Sequence, residues 1–455
     1  MNIYKDTDET NTEKLTDSRI DELNNAETKI ENYWENFLFL FQSGNYAGAL
    51  EKFSAIASFF YGKPASYVDI AHSLKIPDFI CQAVRSIENV EMLKEILRFS
   101  MHLLANGTFS TFIFFFQNGF FSQIDNFLNS ENTSLINSAL AIISGVLSDF
   151  VYMKQPIPFN ITPQRLQEIL PNLVSYGSIF LLIGNIFFEM PETTNMEDYI
   201  LFAFNIFNPY ISSNSTNRFF NGVIFLFQRN PSRFWPVIQQ YLPLINSLIL
   251  LDENNFSLTK REENRNIALK TLCGLIGGPK PVKKAVEKDL PFHNLIIASS
   301  ISRGEMKYMS MKLLAKSIKS HANDLSIVLD SDTYNSIPPC IESGEFSEKI
   351  GCLHLLVSLI IQCSDDIRVR CFFDTNFLLI ISDFIDIDNL EMTKYALKIT
   401  NLILSYQNNL IESFRNQDTI ERIEEVKLNS TDPKIIKYCH SILNLVMNPI
   451  GNDNL

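Results

Sequence analysis

The sequence is poor in the residues and motifs on which small-molecule chemistry is usually built. Tryptophan occurs only as Trp34 and Trp235, and the seven cysteines (81, 273, 340, 352, 363, 371 and 439) include no CxxC pair. Cysteines this sparse exclude a small disulfide scaffold, and reduced, buried thiols in a cytoplasmic or nuclear protein are expected. There is no GxxxxGK[ST] loop, GxSxG elbow, HExxH pair or strand-linked GxGxxG. Phosphate-loop, esterase, zinc-protease and dinucleotide chemistries therefore have no motif to rest on. Cys352, His354, Cys363 and Cys371 form the densest potential ligand group, but their spacing matches no common zinc arrangement. No enzymatic activity, metal or cofactor is expected.

Long apolar runs are also scarce. The best candidate, ILPNLVSYGSIFLLIGNIFF (169–188), is interrupted by Pro171, Asn172, Gly177 and Asn185, so no membrane span is expected. The N-terminus lacks a basic segment followed by an apolar core, which argues against a secretory signal. What remains is a globular composition: 46% hydrophobic and 20% charged, with a net charge of −13. Residues 1–30 are polar and acidic and read as a disordered tail; 449–455 read as a short flexible tail.

The intervening residues repeat. Taking Ala268-Leu269-Lys270-Thr271-Leu272-Cys273-Gly274-Leu275-Ile276 as template, comparable stretches begin at Phe53, Ile96, Ala139, Ile179, Phe219, Ser310, Cys352, Ala396 and Tyr438. The steps run from 40 to 49 residues, close to the period of two- and three-helix solenoids. Within a unit the parts keep one order. In 115–149 an Asn-Gly break precedes a short apolar helix, and the polar turn SENTS leads into a longer one. In 266–297 a long helix ends in Gly277-Gly278-Pro279, a basic helix follows, and Leu290-Pro291 opens the next. Gly and Pro supply the breaks that let the chain fold back. In each long helix the anchor and positions +3, +4 and +7 share one face; from Ala268 these are Thr271, Leu272 and Leu275. This face is expected to be core. The spacing predicts an all-α, right-handed armadillo-type α-solenoid of about ten repeats over residues 31–448.

Several connections resemble importin-α within the armadillo superfamily. FLFQRNPSRFWPVIQQYLPLINSLIL (225–250) is similar to that family's central turn, and GGPKPVKKAVEKDLPFHNLII (277–297) to the Gly-Pro loop and helix that follow it. YGKPASYVDIAHSLKIPDFICQAV (61–84) resembles the first repeat, and 419–447 the short last one. The resemblance implies a non-enzymatic adaptor that binds extended peptide segments of other proteins and takes part in nuclear import. It also implies a ladder of Trp and Asn, which would fall at +2 and +6 of the long helices. Neither tryptophan lies in a long helix of the repeat, and at +6 Asn survives only as Asn185 and Asn444. Gly145, Gly274, Lys316 and Ser358 fill other repeats. The basic N-terminal arm with which the family binds importin-β is unmatched, since residues 1–33 hold only Lys5, Lys14, Arg19 and Lys29 among more numerous acids. Importin-β binding is therefore not expected.

At +2 the chain carries Ala55, Arg98, Ala141, Leu181, Asn221, Lys270, Lys312, His354, Lys398 and His440. No acid appears, and the five C-terminal repeats are all basic or potentially basic. Residues 260–320 contain 13 Lys/Arg against 5 Asp/Glu, which leaves the rest of the chain strongly acidic. Such a stripe would attract acidic peptide ligands and oppose a basic localisation signal. It could equally be a solvated helix face, where Lys is a comfortable helix former, or an altered importin-type groove. Nucleic acid is not expected, because no RNA-binding aromatic motif, zinc finger or basic arm is present. The candidate peptide-contacting residues are Arg98, Lys270, Lys312, Lys316, His354, Lys398, His440, Asn185 and Asn444.

Overall fold

The computed structural model describes residues 17–61, 66–192, 195–363, 365–386, 388–407, 409–415 and 417–447. Among these residues there are helices and connecting turns but no strand. The long helices are α1 (Asp17–Gln42), α2 (Tyr46–Phe60), α3 (Val90–Asn106), α4 (Thr133–Tyr152), α5 (Gly177–Glu189), α6 (Ser213–Arg229), α7 (Leu258–Ile276), α8 (Gly304–Ser317), α9 (Phe346–Cys363), α10 (Leu390–Tyr406) and α11 (Pro433–Met447). Shorter helices connect them. α1 runs through position 30, where Ile30 is buried, so helix begins well before the expected end of the tail. It also carries Trp34, ahead of the first long helix of the repeat. The Trp34 ring stacks on Phe37 at 5.0 Å.

Local sequence sets most helix starts. Asn89 accepts a hydrogen bond from the Met92 amide (3.0 Å) and Asn389 from the Met392 amide (2.9 Å). Asn45, Asn132 and Ser257 act in the same way. Each such cap satisfies an otherwise orphaned amide and is worth about 0.5–2 kcal/mol. The break before the helix Phe120–Phe127 uses Gly119 at φ +67°, where a side chain would be strained. The 266–297 stretch folds as its residues predict. α7 ends at Gly277, Lys280–Asp289 forms the basic helix, and Pro291 precedes the helix Phe292–Ile301. The apolar run 169–188 divides between the end of one helix, a 3-10 turn at Leu170–Asn172 and α5. Among the described residues two helices, α4 and α9, are long and apolar enough to cross a membrane, yet 56% of each apolar window is buried against the rest of the protein.

The chain forms two compact units, 1–226 and 227–455. In the first, α2 packs on α3, α3 on α4 and α4 on α5, and its largest fully buried side chains are phenylalanines such as Phe53, Phe112, Phe150 and Phe219. Edge-to-face pairs such as Phe112–Phe150 (5.1 Å, 83°) add to the area term. In the second, α7 packs on α8, α8 on α9, α9 on α10 and α10 on α11, around a core mainly of Leu and Ile.

The predicted core face is buried. The anchors from Phe53 through Ala396 are all fully buried, as are Leu272, Leu275, Leu355, Leu356, Leu359, Ile399 and Ile403 to within 1%. The last repeat departs by one residue. Tyr438 is only half-buried, whereas Cys439, Ile442, Leu443 and Val446 are buried, and these four have the anchor, +3, +4 and +7 spacing. The apolar period places Cys439 at the anchor, so +2 becomes Ser441 and +6 Leu445. His440 and Asn444 are exposed and leave the ladder.

Candidate functional site

Three basic residues at +2 in the second unit, Lys270, Lys312 and His354, meet two acids that their own positions did not reveal. Lys270 Nζ lies 3.7 Å from a Glu305 carboxylate oxygen. His354, only 4% exposed, places Nε2 2.9 Å from Glu391 Oε1. The Tyr308 hydroxyl donates to both Glu391 oxygens (3.2 and 3.4 Å), and Lys312 Nζ approaches Oε1 at 3.5 Å. Lys312 also bonds the Tyr308 hydroxyl. The Tyr395 ring lies against the His354 imidazole, with centroids 3.8 Å apart.

Glu305 and Glu391 share one repeat position, five residues before the anchors Ser310 and Ala396. From the first turn of its helix each reaches the +2 base of the preceding repeat. This relation can be read from the sequence once the register is known. In the last repeat, anchored at Cys439, the equivalent residue is Lys434. Lys398 therefore meets a cation where Lys270 and His354 meet a carboxylate.

The titration behaviour follows from these neighbours. The His354 hydrogen bond, helped by Lys312, holds the Glu391 carboxyl down at about 2 despite its partial burial. Burial lowers the His354 pKa more than Glu391 raises it, so the imidazole is neutral at pH 7. Burial also works against the Lys312 ammonium, but Tyr308 and Glu391 outweigh it and the pKa is raised. Lys316 and Lys398 behave oppositely. Burial lowers Lys316, and among its charged neighbours Lys283, Lys398 and Lys312 lower it further while Glu287 opposes them. Burial and then Lys434 lower Lys398. Among the described residues neither makes an ion pair or hydrogen bond. Two half-buried ammonium groups thus sit beside other cations.

The remaining candidates lie elsewhere. Arg98, in the first unit, pairs with Glu95 at 2.5 Å and lines a cleft of about 240 Å³ with Ala57, Ser58, Tyr61 and His102. Asn185 is committed to the framework. Its Nδ2 donates to the Ser144 carbonyl (3.0 Å) and hydroxyl (2.6 Å), and its Oδ1 accepts from Arg218 Nε (2.6 Å). Cys352, from the densest Cys/His group, directs its thiol to Met311 Sδ at 3.5 Å while His354 turns to Glu391. Among the described residues no group of three His, Cys, Asp or Glu side chains could hold a metal ion.

Within each unit, helix order, stacking and burial give an all-α, armadillo-like solenoid fold. A solved structure described as showing a conserved phosphorylation switch that controls the interaction between cadherin and beta-catenin is similar over 90% of this chain and 84% of its own, with a TM-score of 0.59 and 13% identity. A crystal structure of an engineered protein is similar over 92% of this chain and 99% of its own, with a TM-score of 0.51 and 14% identity. No protein-family model and no curated protein matches the sequence.

Proposed function

We propose that this protein is a non-enzymatic scaffold whose second unit binds an extended acidic segment of another protein along the basic stripe. The observation that carries the proposal is the pair Lys316 and Lys398: half-buried ammonium groups held near Lys283, Lys312 and Lys434 without an ion pair among the described residues. Desolvated like charges destabilise one another, and an incoming carboxylate relieves both the desolvation and the repulsion. The neighbouring repeats show the same chemistry already satisfied, by Glu305 at Lys270 and by Glu391 at His354 and Lys312. A peptide in extended form suits repeats that present one position at regular intervals. Binding of a protein segment is also consistent with the armadillo-type fold, whose similar structure concerns an interaction between beta-catenin and cadherin.

A nuclear import adaptor of the importin-α kind would have to hold a basic peptide against these cations, and like charges oppose that. The experiment that separates the two is fluorescence anisotropy of a labelled glutamate-rich peptide with wild-type protein and with the double variant Lys316→Glu, Lys398→Glu. Wild-type binding weakened at least tenfold in a normally folded double variant supports the acidic-ligand site. Equal binding by both proteins removes Lys316 and Lys398 from it.

A further inference from the structure

The Glu391 carboxylate is held in an unusual way for a side chain at the start of a helix. Three donors address it from two other helices: Tyr308 and Lys312 from α8, and His354 from α9. The imidazole is packed by burial and by the Tyr395 ring rather than by Glu391 alone, and it turns Nε2 towards the carboxylate. Tyr308 is fixed in turn by Lys312. The donors thus form a receptor for one carboxylate, assembled from side chains of α8 and α9 with the Tyr395 ring of α10 behind the imidazole. Glu391 keeps 43% of its own side chain exposed, so the carboxylate sits at the solvent boundary of the receptor. Lys316 follows Lys312 by one turn of α8, which places the occupied receptor next to Lys316 and Lys398, neither of which makes an ion pair among the described residues.

We propose that Tyr308, Lys312 and His354 form a carboxylate subsite of the ligand stripe, and that Glu391 fills it in the free protein as a built-in competitor that a ligand's own carboxylate must displace. Glu391 is then a specificity-determining residue. It protects the receptor from weak single carboxylates, and it favours ligands whose further acidic residues also engage Lys316 and Lys398. This deepens the acidic-ligand proposal and rests on it only for the identity of the competitor; the receptor itself is testable alone.

The test uses the full chain with Glu391→Ala, and with Glu391→Gln as a variant that preserves side-chain size. Proteins labelled with 15N at histidine are titrated with sodium acetate at constant ionic strength, following the His354 ring signals assigned through His354→Gln. A saturable His354 shift in Glu391→Ala, absent from wild type, is expected. The labelled glutamate-rich peptide is expected to bind both Glu391 variants about tenfold tighter than wild type. No saturable acetate shift in folded Glu391→Ala overturns the receptor. Peptide binding that is unchanged or weaker in the variants overturns the competition. An acetate shift without peptide binding to any of the proteins overturns the acidic-ligand proposal while the carboxylate receptor stands. If Glu391→Ala does not fold, the peptide comparison with Glu391→Gln decides the competition.

Discussion

Glu391 Oε1 lies 2.9 Å from His354 Nε2, and the two residues come from successive repeats of the solenoid. This bond ties the first turn of α10 to α9 through a neutral imidazole and an ionised carboxylate. It has a defined pH signature. The Glu391 carboxyl is held at about 2 in the folded protein, against an ordinary value of 4.5. A depressed folded pKa contributes stability that is complete above the unfolded value and is lost as pH falls towards the folded one. The stability difference between wild type and Glu391→Gln should therefore shrink as the pH falls from about 4.5 towards 2. Urea unfolding at a series of pH values measures it. Glu391 is partly exposed, so the difference should also fall with added salt. A difference that does not diminish below pH 4.5 would contradict the assignment.

A second prediction concerns Asn185, a residue whose type and +6 position suggest a ligand contact. Its amide instead links Ser144 on α4 to Arg218 on α6, and the Arg218 guanidinium stacks 4.1 Å from the Phe188 ring centroid. Replacing Asn185 by Ala leaves part-buried groups without their partner and should cost about 1–3 kcal/mol. Glutamate-rich peptide binding should be unchanged. Chemical denaturation and anisotropy on the same variant separate the two roles, and lost peptide affinity with unaltered stability would restore Asn185 to the binding surface.

A third prediction concerns how closely α5 and α6 approach within the first unit. A Cβ at Gly184 would lie 2.8 Å from the Arg218 backbone, and one at Gly222 would lie 2.9 Å from the Phe187 ring. The two glycines permit a contact that no larger residue fits. Gly184→Ala should therefore destabilise by about 1–3 kcal/mol through overpacking, even though Ala is the better helix former. A thermal melt equal to or above wild type would mean the helices can separate without loss.

The repeat and its core face were legible because both depend on local sequence. Helix caps at Asn89, Asn132 and Asn389, breaks at Gly119 and Gly277, and apolar residues at a 3.6 period are short-range signals. The last repeat slipped because Tyr438 is large and apolar enough to imitate an anchor, while the small Cys439 fills that place. The acids of the site were harder to see. Glu391 is 37 residues from His354 and 79 from Lys312, so its role depends on how repeats stack rather than on any motif. A comparison of the +2 position of one repeat with the first helical turn of the next would have found Glu305 and Glu391, and would have shown Ser347 and Lys434 where no acid stands.

The most direct test of the central claim is one pair of titrations on the wild-type chain. A labelled glutamate-rich peptide and a labelled lysine- and arginine-rich peptide of equal length are followed by anisotropy at low and at physiological salt. Saturable binding of the acidic peptide that weakens with salt, and none of the basic peptide, is the predicted result. Tight binding of the basic peptide with none of the acidic one would contradict it and would point back to a groove of the importin-α kind.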